Sequence, residues 1–110
     1  MKRILLVGLM ALQVCFASAT WSQTDPGYKH TEDVIYGRKF GTALTFDVFQ
    51  PEKPNGAGII AVVSGGWFSS HDAVRGANYK TFLDRGYTVF AVVHGSQPKF
   101  TIPEIIQDIQ

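Results

Sequence analysis

Cysteine is almost missing from this 110-residue chain: Cys15 is the only one. No intrachain disulfide framework or Cys-based metal knuckle can be built from a single thiol. Charge is also sparse, at 17% of residues, and the net charge is only +1. That gives no electrostatic basis for binding nucleic acid or an anionic membrane surface. The longest apolar stretch, from Ile4 to Phe16, falls short of the roughly 20 residues a membrane-spanning helix needs. Phosphate-loop chemistry is absent too, because the paired glycines Gly65 and Gly66 are followed by Trp67 and lack the lysine and the glycine spacing.

That short apolar stretch has a different meaning. Lys2 and Arg3 form a positive leader, Ile4 to Phe16 an apolar middle, and Ala17-Ser18-Ala19 a small-residue cleavage site. The three together predict a secretory signal over residues 1–19, cleaved after Ala19, and so a secreted or periplasmic product. Cleavage would remove Cys15, and with it all thiol chemistry. It would also leave eight basic against nine acidic residues, with no stable membrane association expected.

Residues 20–29 read as a polar leader, and residues 30–110 as a single incomplete domain. Thr31 to Tyr36 alternates as a strand, and residues 37–41 form a glycine-bounded turn. Ala43 to Phe49 is a second strand, with Leu44, Phe46 and Val48 on one face opposite Thr45 and Asp47. This predicts an antiparallel hairpin. Residues 51–56, with two prolines and a glycine, make a surface loop.

Gly58 to Val63 is a continuous apolar run bounded by turn signals, which predicts a strand buried on both faces. It ends in Ser64-Gly65-Gly66-Trp67, where glycines permit a sharp turn and leave N–H groups uncovered. A helix is predicted from about Val74 to Arg85, with Tyr79, Phe82 and Leu83 on one face and Gly86 as its stop. Tyr87 to Val93 is a further apolar strand, parallel to Gly58–Val63 through a right-handed crossover. A last helix starts at Thr101, capped by that residue with Glu104 reaching back. Its Ile102, Ile105, Ile106 and Ile109 form a stripe that belongs on a sheet.

The fold class is therefore α/β: an antiparallel hairpin followed by parallel strand–helix–strand–helix. In such folds ligands bind outside the carboxyl ends of the strands, here at Gly65 and Gly66.

This order of elements resembles the opening of an α/β-hydrolase. The likeness is to secreted esterases and lipases of feruloyl-esterase or carboxylesterase type, which carry a His-Gly-Gly-Gly-Trp turn after the third strand. Here that turn reads Val63-Ser64-Gly65-Gly66-Trp67, matching at its last three positions. Pro103 and Asp108 keep the family's spacing, whereas His94-Gly95-Ser96 stands where many members have Tyr-Arg-Leu. The resemblance implies that strand four lies between strands two and three. It implies a serine nucleophile acting on carboxylic esters, with Gly65 and Gly66 as backbone oxyanion-hole donors and Trp67 walling the substrate pocket. The triad would lie beyond Gln110, so the 110-residue chain alone is expected to be inactive. The expected partner is a small-molecule or polysaccharide ester, with no cofactor. A related serine peptidase, a non-catalytic ligand-binding member and a flavodoxin-like binding protein are the alternatives.

Other polar residues carry weaker readings. Ser64 as a nucleophile elbow would need a small residue where Val62 stands. Ser69, Ser70, His71 and Asp72 are consecutive and cannot converge as a triad; Ser70 or Asp72 is read as a helix cap. His94 is read as structural, His30 has no evident role, and no metal site is expected from the spacing of the three histidines.

Overall fold

A computed structural model describes residues 26–110. The expected export signal and most of the polar leader lie outside the described residues. The elements are strands β1 (Tyr28–Lys39), β2 (Thr42–Pro51), β3 (Gly58–Val63) and β4 (Thr88–Val93), and helices α1 (Lys80–Leu83) and α2 (Ile102–Ile109). Two 3-10 turns, His71–Ala73 and Gly76–Tyr79, precede α1. The four strands form one mixed sheet in the order β1-β2-β4-β3. β1 pairs antiparallel with β2, β2 antiparallel with β4, and β3 parallel with β4. The hairpin, the parallel pair and the insertion of β4 between β2 and β3 are thus as the sequence implied.

The hairpin is longer and tighter than its residues suggested. Pairing runs from Tyr28–Pro51 to Lys39–Thr42, leaving only Phe40 and Gly41 as the turn. Both have positive φ, 47° and 73°, as a two-residue turn of the right twist requires. Register shifts between Thr31 and Val34 and between Ile35 and Gly37 interrupt β1, and Asp33 sits in the first with φ 56°.

One face of the sheet carries the main core: Phe49, Val89, Ala91, Val93 and Val63, closed over by Tyr79 and Leu83. Thr45 and Asp47, on this face of β2, are buried as well, so β2 is not solvated on its polar side. β3 corrects the expectation of a strand buried on both faces. Ile59, Ala61 and Val63 turn inward, but Ile60 is 71% and Val62 43% exposed. β3 is an edge strand, and among the described residues nothing covers its second face.

The helix predicted over residues 74–85 also shortens, to a 3-10 turn leading into the single α-turn of α1. Gly76 explains the late start. It is a weak helix former and lies so close to Tyr28 that a Cβ there would stand 2.0 Å from the tyrosine oxygen. The stop is as expected. Gly86 has φ 85°, its N–H donates to the Leu83 carbonyl and the Tyr87 N–H to Phe82, a Schellman closure.

At α2, the Thr101 N–H and hydroxyl both donate to Glu104 Oε2, at 2.8 Å each. Those two bonds, the backbone one first, hold the Glu104 carboxyl below its usual range. Of the isoleucine stripe, Ile105 is fully buried whereas Ile106 and Ile109 remain about two-fifths exposed. Lys39 Nζ docks the helix onto β1, bonding the Glu104 carbonyl at 2.9 Å and Asp108 Oδ1 at 2.7 Å. Tyr36 donates to the Val93 carbonyl, and burial, with the Asp108 carboxylate, pushes its hydroxyl up to about 12.

Candidate functional site

The parallel strands β3 and β4 end side by side, at Val63 and Val93, and the segments that leave them build the site. From β3 the chain enters Ser64-Gly65-Gly66-Trp67-Phe68. Gly65 and Phe68 exchange both backbone hydrogen bonds, at 2.8 and 3.0 Å. Between them Gly66 and Trp67 have φ of 58° and 65°. Two successive left-handed residues make a tight reversal that glycine accepts freely and tryptophan only under strain.

This geometry separates the three residues singled out from the sequence. The Gly65 N–H donates to Phe68. The Gly66 and Trp67 N–H groups have no acceptor among the described residues, and a Cβ on Gly66 would meet open space. The Trp67 side chain is 40% exposed beside them.

From β4 the chain enters His94-Gly95-Ser96, and this segment holds the loop from below. His94 is buried, with Nε2 2.8 Å from Ser64 Oγ and Nδ1 2.6 Å from the Gly95 carbonyl. A carbonyl can only accept, so Nδ1 carries the proton and Nε2 accepts from the Ser64 hydroxyl. Ser69 adds a second tie: its hydroxyl donates to the Val63 carbonyl and accepts the His94 N–H at 3.2 Å. Ser96 makes a third, accepting the Ser69 N–H at 2.8 Å and donating to the Ser69 carbonyl at 3.0 Å. A cavity of 480 Å³ opens beside the loop, lined by Val62, Ser64, Gly65, Phe68, Ser69 and Tyr79 among others; Trp67 does not line it.

Ser70 caps the first 3-10 turn, accepting the Asp72 N–H at 3.2 Å. His71 turns away from the neighbouring serines, its Nε2 3.0 Å from Thr45 Oγ1. His30, which had no role in the sequence reading, stacks on Phe49 and lies 2.8 Å from Asp47 Oδ2. Nothing local announces this contact. The one available signal was the polar side of β2, which the pairing of β1 with β2 places beside His30.

A mixed sheet in this order, with its glycine loop after β3, is an α/β arrangement that recurs within larger solved proteins. Solved esterases share it. Esterase B from Lactobacillus rhamnosis, in an inhibited form, superposes with a TM-score of 0.62 at 21% identity, over 79% of this chain and 29% of its own. A protein from Silicibacter sp. whose thioesterase role is an assignment gives 0.61 at 24%, over 73% and 30%. Thermogutta terrifontis esterase 2, phosphoramylated by tabun, gives 0.53 at 18%, over 76% and 33%. The chain thus spans about 30% of the length of these neighbours. No protein-family model and no curated protein matches the sequence.

Proposed function

We propose that this chain supplies the oxyanion loop of an exported serine hydrolase acting on carboxylic esters. The observation that carries the reading is the left-handed pair Gly66–Trp67 at the carboxyl end of β3, with two N–H groups that have no acceptor among the described residues. Ester hydrolysis passes through a tetrahedral intermediate whose anionic oxygen needs preorganised donors. In this fold one donor comes from the loop after the third strand and another follows the nucleophile. Gly66 is the first candidate. Gly65, whose N–H is already held by Phe68, fixes the shape of the turn. Trp67 contributes its N–H, while its ring stands outside the cavity beside the loop.

The substrate is a small-molecule or polysaccharide ester. The serine nucleophile and its partners stand outside residues 1–110, and the signal over residues 1–19 directs export and is removed by cleavage after Ala19.

The test uses the full-length gene product and a chromogenic acyl ester. Hydrolysis is expected, with Gly66→Val lowering kcat on the order of 10²-fold or more, because a β-branched residue disfavours φ 58° and re-aims the N–H, with the effect of losing one oxyanion donor. A gene product without ester hydrolysis ends the esterase reading. An unchanged kcat in Gly66→Val ends the donor assignment alone.

A further inference from the structure

Asp47 lies almost wholly buried on β2, and the fold gathers a second polar constellation around it. Its Oδ2 is 2.8 Å from His30 Nε2, and its Oδ1 accepts the Asp33 N–H at 3.1 Å. Oδ1 also stands 3.9 Å from His71 Nδ1, while His71 Nε2 stands 3.5 Å from Asp33 Oδ1. One donor atom each from Asp33, Asp47 and His71 lies within 4.8 Å of the others. These residues come from β1, β2 and the 3-10 turn after the glycine loop, so no sequence spacing could have joined them.

Hydrogen bonding accounts for His30, which satisfies Asp47 Oδ2. It also holds His71 Nε2 to Thr45 Oγ1 at 3.0 Å, but leaves His71 Nδ1, on the side of Asp47 Oδ1, without a hydrogen-bond partner among the described residues. The 3.9 Å from Nδ1 to Asp47 Oδ1 exceeds the usual hydrogen-bond range, and the 3.5 Å approach to Asp33 is made by the other ring nitrogen, Nε2. An ion takes one nitrogen of the ring, and the Nδ1–Asp47 separation suits the edge of a coordination shell, in which ligands about 2.1 Å from a tetrahedral ion stand about 3.4 Å apart; Nε2, tied to Thr45, would orient the ring. Closing the remaining gap takes small movements, and Asp33 and His71 are exposed enough to make them. Asp47 is fixed by burial and by His30 (a carboxylate held from outside, as the partners of metal ligands commonly are).

We infer that Asp33, Asp47 and His71 bind a divalent cation of the zinc class, with His30 orienting Asp47 and water filling the remaining position. An imidazole beside two carboxylates favours a borderline metal over calcium or magnesium, which prefer all-oxygen shells. The two carboxylates match the charge of such an ion. The bulge at Asp33 serves the site by lifting that residue out of the β1–β2 ladder. The ion would pin the segment that follows the glycine loop onto the hairpin. This inference stands apart from the esterase reading.

The test is titration of the untagged protein with Co²⁺, followed by visible absorption, and then displacement by Zn²⁺. Saturable one-to-one binding is expected, with the intense bands of low-symmetry Co²⁺, their loss on adding Zn²⁺, and a raised Tm with Zn²⁺. Asp33→Asn and His71→Gln, both at exposed positions, are expected to keep the parent's circular dichroism and weaken binding by about tenfold or more. His30→Gln, acting from outside the shell, is expected to weaken it by a factor on the order of 10. Absence of saturable Zn²⁺ binding at micromolar concentration overturns the site. So does undiminished binding in both exposed variants, and Mg²⁺ binding as tight as Zn²⁺ overturns the metal class.

Discussion

His94 Nε2 accepts a hydrogen bond from Ser64 Oγ at 2.8 Å, tying the residue after β4 to the residue after β3. The first residue of the glycine loop is thereby held to a side chain that is itself buried and oriented by the Gly95 carbonyl. Sequence comparison with His-Gly-Gly-Gly-Trp loops draws attention to a histidine absent at Val63. The fold presents one from the adjacent strand instead.

Removing that histidine should loosen the loop as well as the strand ends. His94→Ala deletes a buried side chain with two hydrogen bonds, and a loss of about 2–3 kcal/mol in unfolding free energy is expected. Ser64→Ala, at an exposed position, should cost less, about 1 kcal/mol. A double-mutant cycle by denaturant unfolding should return a coupling of about 0.5–1 kcal/mol, since the two share one bond. Additive losses would show that the contact contributes nothing.

Acid should loosen the start of α2. Bonds from the Thr101 N–H and hydroxyl hold the Glu104 carboxyl below the ordinary carboxylate range, so the folded state favours its ionised form. A depressed carboxyl contributes stability that is present above the unfolded pKa and fades as pH falls through the folded one. Parent and Glu104→Gln should therefore differ in Tm near neutrality and converge below pH 4.5. A Tm difference that stays constant down to acid pH would contradict the coupling.

The Schellman closure can be probed at Gly86. Its φ of 85° strains any side chain, and a Cβ would sit 2.9 Å from the Lys53 carbonyl oxygen. Gly86→Ala is expected to cost about 1–3 kcal/mol in unfolding free energy, more than the same change at an exposed glycine of ordinary φ. Chemical denaturation of the variant beside its parent measures this directly.

Much of the fold was legible because its signals are local. The apolar run of β3, the Gly86 stop and the Thr101–Glu104 cap each depend on residues within one turn or strand, and each appears in place. Periodicity misjudged β3 in one respect: an apolar run shows that a strand suits burial, but whether anything covers its second face is a tertiary matter. The first part of the site, the Gly65–Gly66 turn, was readable from the glycines. Its internal wiring was not, because the Gly65–Phe68 exchange depends on left-handed geometry at Trp67, a residue that sequence reasoning places there reluctantly. The cluster around Asp47 was invisible for a plainer reason. His30, Asp47 and His71 are separated by 17 and 24 positions and meet only after the hairpin has closed and the first 3-10 turn has packed on it.

The placement of β4 between β2 and β3 also has a consequence during synthesis. β3 leaves the ribosome before the only described strand that pairs with it, with about 25 residues still to be added between Val63 and Thr88. At ordinary elongation rates that delay is on the order of a few seconds. The β1–β2 hairpin can zip within microseconds of emerging. Ile59, Ile60 and Val62 must wait beside a finished hairpin whose open edge is reserved for a strand not yet made. This interval is when the nascent chain is most in need of a chaperone.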